Sequence, residues 1–324
     1  MSFRNAFECL WCGASWATRG SDDLEGFAQL CPECIGRAGD NGFLRFRLKA
    51  ALDERARTMA LAGSVPARAA SAPAGSASPG SPASSGSAPP AVVPDDVSTE
   101  MIAYYEARSG EYDDWYLRRG RYERGPVHDQ AWAAELDLAT LWLDGLAWSG
   151  EIVELAAGTG WWSPLLASKG ELSIYDAAEA PLDRARDRLL AHRLRAHIHL
   201  RDAWLEPDRA VDGLFCGVWL SHVPRARLIE FLALARRWLR PGGMFAFVDS
   251  RPDPESGAAD QPETSATESD LELERRRLAD GREFRVVKVH YDPSELHAAL
   301  LAAGFASAEV AATPRFFLLG HAIA

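Results

Sequence analysis

The sequence predicts a doubly wound α/β domain over residues 98–324, and three features point there. Short apolar runs of strand length alternate with segments of helical periodicity, the pattern of a parallel sheet covered on both faces. The first run, Ile152-Val153-Glu154-Leu155-Ala156, passes directly into a glycine-rich turn, Gly158-Thr159-Gly160. A Pro-Gly-Gly triplet at 241–243 separates a helical stretch from a further apolar run, where a helix has to stop before a strand begins.

Seven strands follow from that reading. After 152–156, Leu172 to Asp176 reads as a second strand and 180–193 as a helix. Ala196–Asp202 and Val211–Val218 read as the third and fourth strands. A helix over 224–239 carries Leu228, Phe231, Leu232, Ala235 and Leu239 as one apolar stripe, and Met244–Val248 is the fifth strand. Ser294–Ala303 is a helix stopped by Gly304, and Phe305–Ala311 and Phe316–His321 are two final strands close enough to pair. Arg251 to about Asp270 is rich in Pro, Ser, Glu and Asp and reads as a mobile surface insertion. Arg275-Arg276-Arg277, preceded by Glu272 and Glu274, reads as a solvated helix face paired within itself. Residues 283–291 alternate, so one face of that segment is expected to line a pocket above the sheet.

The N-terminal part differs. Cys9, Cys12, Cys31 and Cys34 form two C-x-x-C pairs at a spacing suited to one tetrahedral zinc ion. A module this small buries too little apolar surface to fold by itself, and a structural zinc would supply the missing stability. Residues 1–62 are therefore expected to form a zinc ribbon with a trailing helix marked by Leu44, Leu48 and Leu52. Residues 63–97, almost entirely Ala, Ser, Pro and Gly, are expected to form a flexible linker. The fifth cysteine, Cys216, sits mid-strand among apolar residues and reads as inert core.

The net charge of −11 and the scarcity of basic clusters argue against a protein that lives on nucleic acid backbones. The ribbon itself has balanced charge before four thiolates are counted. No apolar run approaches the ~18 residues of a membrane span, and the first residues lack the layout of a signal peptide, so the expected location is the cytoplasm.

Open α/β sheets bind ligands beyond the carboxyl ends of their strands. The candidate residues cluster there: Glu154, Ala156, Gly158 and Gly160 around the first strand's turn, Asp176 ending the second, and Asp202-Ala203-Trp204 ending the third. A dinucleotide fingerprint would need a third glycine, but Trp161-Trp162-Ser163 follows Gly160, which disfavours NAD. His222, in the loop after the fourth strand, has a side chain able to take a proton near neutral pH. Tyr104, Tyr105 and Arg108 lie on a helix before the sheet.

Together these residues resemble the class I S-adenosylmethionine-dependent methyltransferases, over essentially all of 98–324. The acidic residue and glycines at strand one, the carboxylate ending strand two, the Pro-Gly-Gly turn and the final strand pair carry the likeness. It implies a Rossmann-like, mostly parallel seven-stranded sheet and S-adenosylmethionine as cofactor. Carried over position by position, Gly158 and Gly160 would wrap the methionine moiety, with Ala156 where the family has its first glycine. Glu154 would orient that loop, Asp176 would hold both ribose hydroxyls, and Asp202, beside Ala203, would meet the adenine amino group. Tyr104 and Arg108 would close over the cofactor, and His222 would lie beside the reactive methyl as a catalytic candidate. The expected function is methyl transfer to a small-molecule acceptor. The alternative is a non-catalytic cofactor-binding adaptor that recruits a protein partner through its zinc ribbon.

Overall fold

The structure is a computed structural model that describes residues 6–8, 15–17, 95–264, 268–269 and 271–324. The chain divides into two units, Met1–Ser87 and Ala88–Ala324. In the first, strands β1 (Ala6–Glu8) and β2 (Ser15–Ala17) pair antiparallel with Phe7 opposite Trp16. Cys9, Cys12, Cys31 and Cys34 lie outside the described residues, as does the expected linker up to residue 94.

The second unit opens with helices α1 (Asp95–Arg108), α2 (Tyr112–Leu117) and α3 (Pro126–Asp144). Helix α1 takes in the last three residues assigned to the linker, and Val97 is fully buried. The folded domain therefore begins earlier than the composition suggests, because one apolar residue at the end of a polar tract finds a core to enter. Strands and helices then alternate: β3 (Glu151–Leu155), α4 (Ser163–Ala167), β4 (Glu171–Asp176), α5 (Glu179–Ala191), β5 (His197–Leu200), β6 (Val211–Gly217), α6 (Leu228–Arg237) and β7 (Leu239–Ser250). A hairpin of β8 (Leu273–Arg277) and β9 (Glu283–Val287) precedes α7 (Pro293–Ala302), β10 (Ser307–Ala312) and β11 (Phe317–Ile323).

The seven-stranded sheet runs β10-β11-β7-β6-β3-β4-β5. Its β7-β6-β3-β4-β5 part is parallel, whereas β11 is antiparallel to both β7 and β10. Strand order reverses between β3 and β6, which opens a crevice at their carboxyl ends. Side chains alternate in direction along each strand. Val153, Leu155, Leu214, Cys216, Phe245 and Phe247 therefore pack with α6 and α7 on one face. Ile152, Ile174, Phe215 and Ala246 pack with α3 and α5 on the other. Cys216 is fully buried and burial pushes its thiol pKa well up, in keeping with an inert core residue.

Three expectations need correction. The Pro-Gly-Gly triplet does not end the helix, which stops at Arg237; it forms an irregularity inside β7, where the register to β6 shifts between Val211 and Gly213. Arg275–Arg277 belong to strand β8 rather than a helix, and β8 pairs with β9. The described part of the 251–270 insertion is pinned rather than loose. Trp115 and Arg118 donate to the Ser256 carbonyl at 3.0 and 2.9 Å, and Arg124 donates to Gly257 at 2.6 Å. No helix among the described residues is long and apolar enough to cross a membrane.

Gly160 shows how tightly the β3 turn meets the helix layer. Its φ is +72°, and an added Cβ would lie 2.7 Å from the Cβ of Ala185 on α5. Gly160→Ala is expected to lower stability by about 2–4 kcal/mol, combining left-handed strain with overpacking. Urea unfolding checks this; a loss below about 0.5 kcal/mol would mean that α5 yields more easily than its packing implies.

Candidate active site

Beyond the carboxyl ends of β3, β4 and β6 lies a cavity of about 780 Å³. Ala156, Gly158, Asp176, Asp202, Ala203 and His222 all line it. Six residues picked from scattered sequence positions thus share one concave surface. The backbone at Ala156 has φ +50°, a conformation that costs an alanine roughly 1 kcal/mol relative to glycine. The chain accepts it to turn sharply out of β3.

Asp176 organises this surface. Its Oδ2 accepts the Gly158 N–H at 2.8 Å and its Oδ1 accepts the Ala178 N–H at 2.9 Å. Each carboxylate oxygen keeps a further lone pair, so two ribose hydroxyls can still donate to it. Burial pushes the carboxyl up to about 6, against the two N–H bonds, and the charge of Asp202 adds to the rise. Asp202 accepts the Trp204 N–H at 2.7 Å, which shapes the next turn. Trp204 also lines the cavity, with the Arg227 guanidinium 3.8 Å from its ring centre. An exposed edge of this kind offers an adenine ring a flat apolar wall.

Four expected residues sit elsewhere. Glu154 is buried beneath the turn and bonds to the Ser163 hydroxyl at 2.5 Å, tying β3 to α4 instead of orienting the loop backbone. Burial pushes its carboxyl up to about 8, so it is mostly protonated at neutral pH. Gly160 packs against α5, as described above. Tyr104 is buried in the core, and Arg108 lines a second chamber. The α1–α2 residues that do face the cavity are Ser98, Met101, Ile102, Tyr105 and Tyr112.

His222 stands where the cavity meets that second chamber, of about 820 Å³. Tyr105, Tyr112, Val218 and His222 line both. The His222 Nδ1 is 2.6 Å from the Val287 carbonyl, which can only accept, so Nδ1 carries the proton. Nε2 is then bare and accepts the Tyr105 hydroxyl at 2.6 Å. Burial, then the charge of Lys288, holds the imidazole well below its usual pKa, which keeps it neutral. Val218, beside it, has φ +55°, a strained conformation for a β-branched residue and one that concentrates at functional sites. The alternation over 283–291 was expected to put one face of that segment on a pocket, and Lys288 and His290 do line the second chamber; Arg276 and Tyr112 were not singled out as lining residues, and for Arg276 no local signal was available.

Residues 152–243 match the family model described as a methyltransferase domain. Two solved structures of DhpI are similar to this chain. Its complex with SAH is 28% identical, covers 71% of this chain and 98% of its own, and has a TM-score of 0.56. Its complex with SAM and HEP is 29% identical, covers 71% and 99%, and has a TM-score of 0.57. Comparison with curated proteins gives no match.

If Asp176 receives the ribose hydroxyls, it must be ionised to accept both. S-adenosylhomocysteine (SAH) affinity should then be level above about pH 7 and fall as pH drops through the Asp176 pKa of about 6, approaching tenfold per unit below it. Asp176→Asn should bind more weakly at neutral pH and lose that dependence. Calorimetric titrations from pH 5 to 8 check both; a level wild-type profile would remove Asp176 from the ribose. Residues 152–243 thus match a methyltransferase domain, and the mostly parallel seven-stranded sheet is a fold shared with DhpI, whose complexes hold SAH or S-adenosylmethionine (SAM).

Proposed function

We propose that this protein transfers the methyl group of S-adenosylmethionine to a small-molecule acceptor held in the second chamber. The observation that carries the reading is the shared border: four residues line both compartments, so a cofactor in one can present its methyl to an acceptor in the other. A DhpI complex holds SAM and HEP together, which is consistent with two adjoining compartments.

In this reading Asp176 takes the ribose, Gly158 and Ala156 the backbone-lined turn beside the methionine moiety, and Asp202 with Ala203 the adenine. Methyl transfer depends above all on aligning nucleophile, methyl carbon and sulfonium. The acceptor's heteroatom attacks the methyl carbon, the carbon–sulfur bond breaks, and SAH leaves. His222 Nε2 receives the acceptor's proton, either in place of the Tyr105 hydroxyl or through it. A neutral imidazole whose tautomer is fixed by Val287 is the form a base requires. Tyr104 supports α1 from the core rather than touching the cofactor.

His222→Gln should lower turnover by ~10²–10⁴-fold while SAH affinity stays within about threefold. Single-turnover methylation with labelled cofactor, scored on the acceptor that accepts label, separates the two. A turnover loss below threefold would leave His222 with only its structural bonds.

A structural zinc on Cys9, Cys12, Cys31 and Cys34 belongs to the same proposal, supported by their spacing and by the β1–β2 hairpin on either side of the first pair. Metal analysis of the full chain should find about one zinc, lost in Cys31→Ser; a metal-free chain would rule the ribbon out.

A further inference from the structure

The second chamber carries charge that the protein does not balance. Arg108, Arg276 and Lys288 line it, together with Glu274, Asp253 and His290. Both carboxylates are engaged: Glu274 pairs with Arg276 at 2.7 Å, and Asp253 accepts from Arg315 at 2.6 Å. Burial, and then the charge of Lys288, holds His290 down to about 4, so it is neutral.

Arg108 and Lys288 have no carboxylate within ion-pair distance among the described residues. Arg108 is 7% exposed and donates one bond, to the Tyr122 hydroxyl at 3.1 Å. Its Nε is buried without a partner. The rings of Tyr104, Tyr112 and Tyr122 surround the guanidinium at 5.6, 4.6 and 5.8 Å, which holds it in place but leaves its charge unpaired. Lys288 donates to the Ser250 hydroxyl at 2.6 Å, and burial pushes its ammonium down to about 8. Asp249 offsets part of that charge from farther off, while its oxygens accept the Ser221 and Ser250 N–H groups.

Burying a cation without a counter-charge is costly, and a chamber that buries Arg108 and half-buries Lys288 in this way is organised for a charge that arrives from outside. We infer that the methyl acceptor carries a compact oxyanionic group, seated among Arg108, Arg276 and Lys288 on the far side of the chamber from the cofactor. Guanidinium and ammonium donors converging from separate elements, α1, β8 and the segment after β9, suit an anion with several oxygens, such as a phosphate-type group or a carboxylate. The same anion would offset the Lys288 charge that weakens His222 as a base, so the acceptor itself would make proton transfer easier. This inference rests on the methyl-transfer reading for its placement of the cofactor.

The full chain, first without SAH and then saturated with it, is titrated with inorganic phosphate and separately with acetate, at constant ionic strength set by chloride. Binding is followed by phosphorus and carbon NMR line broadening. At least one of the two anions should bind, the tighter one identifying the oxyanion class. Lys288→Met and Arg276→Lys should each weaken that binding at least tenfold while SAH affinity is unchanged, with thermal unfolding confirming that each variant folds. Failure of both anions to bind, or binding unaltered in the two variants, would overturn the inference. So would anion binding that disappears once SAH is bound, because the cations would then serve the cofactor's own carboxylate. A wild-type chain that fails to bind SAH would overturn the cofactor reading instead, a result distinct from these.

Discussion

The site depends on the carboxylate of Asp176. It closes the gap between two adjacent parallel strands by accepting N–H groups from the turn after β3 and from the start of α5. The Tyr175 carbonyl next to it accepts the Ala157 N–H at 3.0 Å. These bonds fix the left-handed path through Ala156 and Gly158, so the backbone forms a cavity floor rather than a loose loop. Holding a carboxylate in a half-buried position raises its pKa, and a ligand with two hydroxyl donors would reverse part of that penalty. In the proposed reading, stability of the turn and affinity for a ribose draw on the same group.

The second compartment draws less on the sheet. Besides Ser250 at the end of β7 and Val218 and His222 after β6, it is assembled from elements outside the sheet: α1, α2, the pinned insertion after β7, and the β8–β9 hairpin with the segment after it. Thr159 and Arg188 both reach Asp113 on α2, which anchors this cover to the turn after β3 and to α5. At the junction, Val218 in its strained conformation and the Tyr105–His222 bond mark where the compartments meet. In the proposed reading, the sheet keeps the cofactor site while the covering elements set which acceptor fits.

Much of the sheet is legible in the sequence because each strand is a short apolar run and each turn has its own chemistry. Asp176 could be found from its position at the end of such a run. Helix α3 escaped that reading, although Trp132, Leu136, Ala139 and Leu143 form a stripe of helical spacing. The Arg275–Arg277 run misled for a physical reason. Consecutive charges look like a solvated face, but β8 alternates, and Arg276 is turned inward with a side chain only 15% exposed. Its burial depends on a chamber that also takes in α1 and α2, more than a hundred positions away, which local pattern does not encode. Arg108 and Tyr104, four positions apart on one face of α1, do stay neighbours, with the guanidinium 5.6 Å from the ring, but only the longer Arg108 side chain reaches the chamber while Tyr104 stays in the core.

The central claim is that the carboxyl ends of β3, β4 and β6 hold the cofactor with its reactive end at the border of the two compartments. A structure of the full chain with S-adenosylhomocysteine tests it most directly. The account predicts the ribose hydroxyls on Asp176, the adenine beside Ala203, and the sulfur directed at Val218 and His222. Ribose hydroxyls away from Asp176, or a sulfur turned from the second chamber, would contradict it.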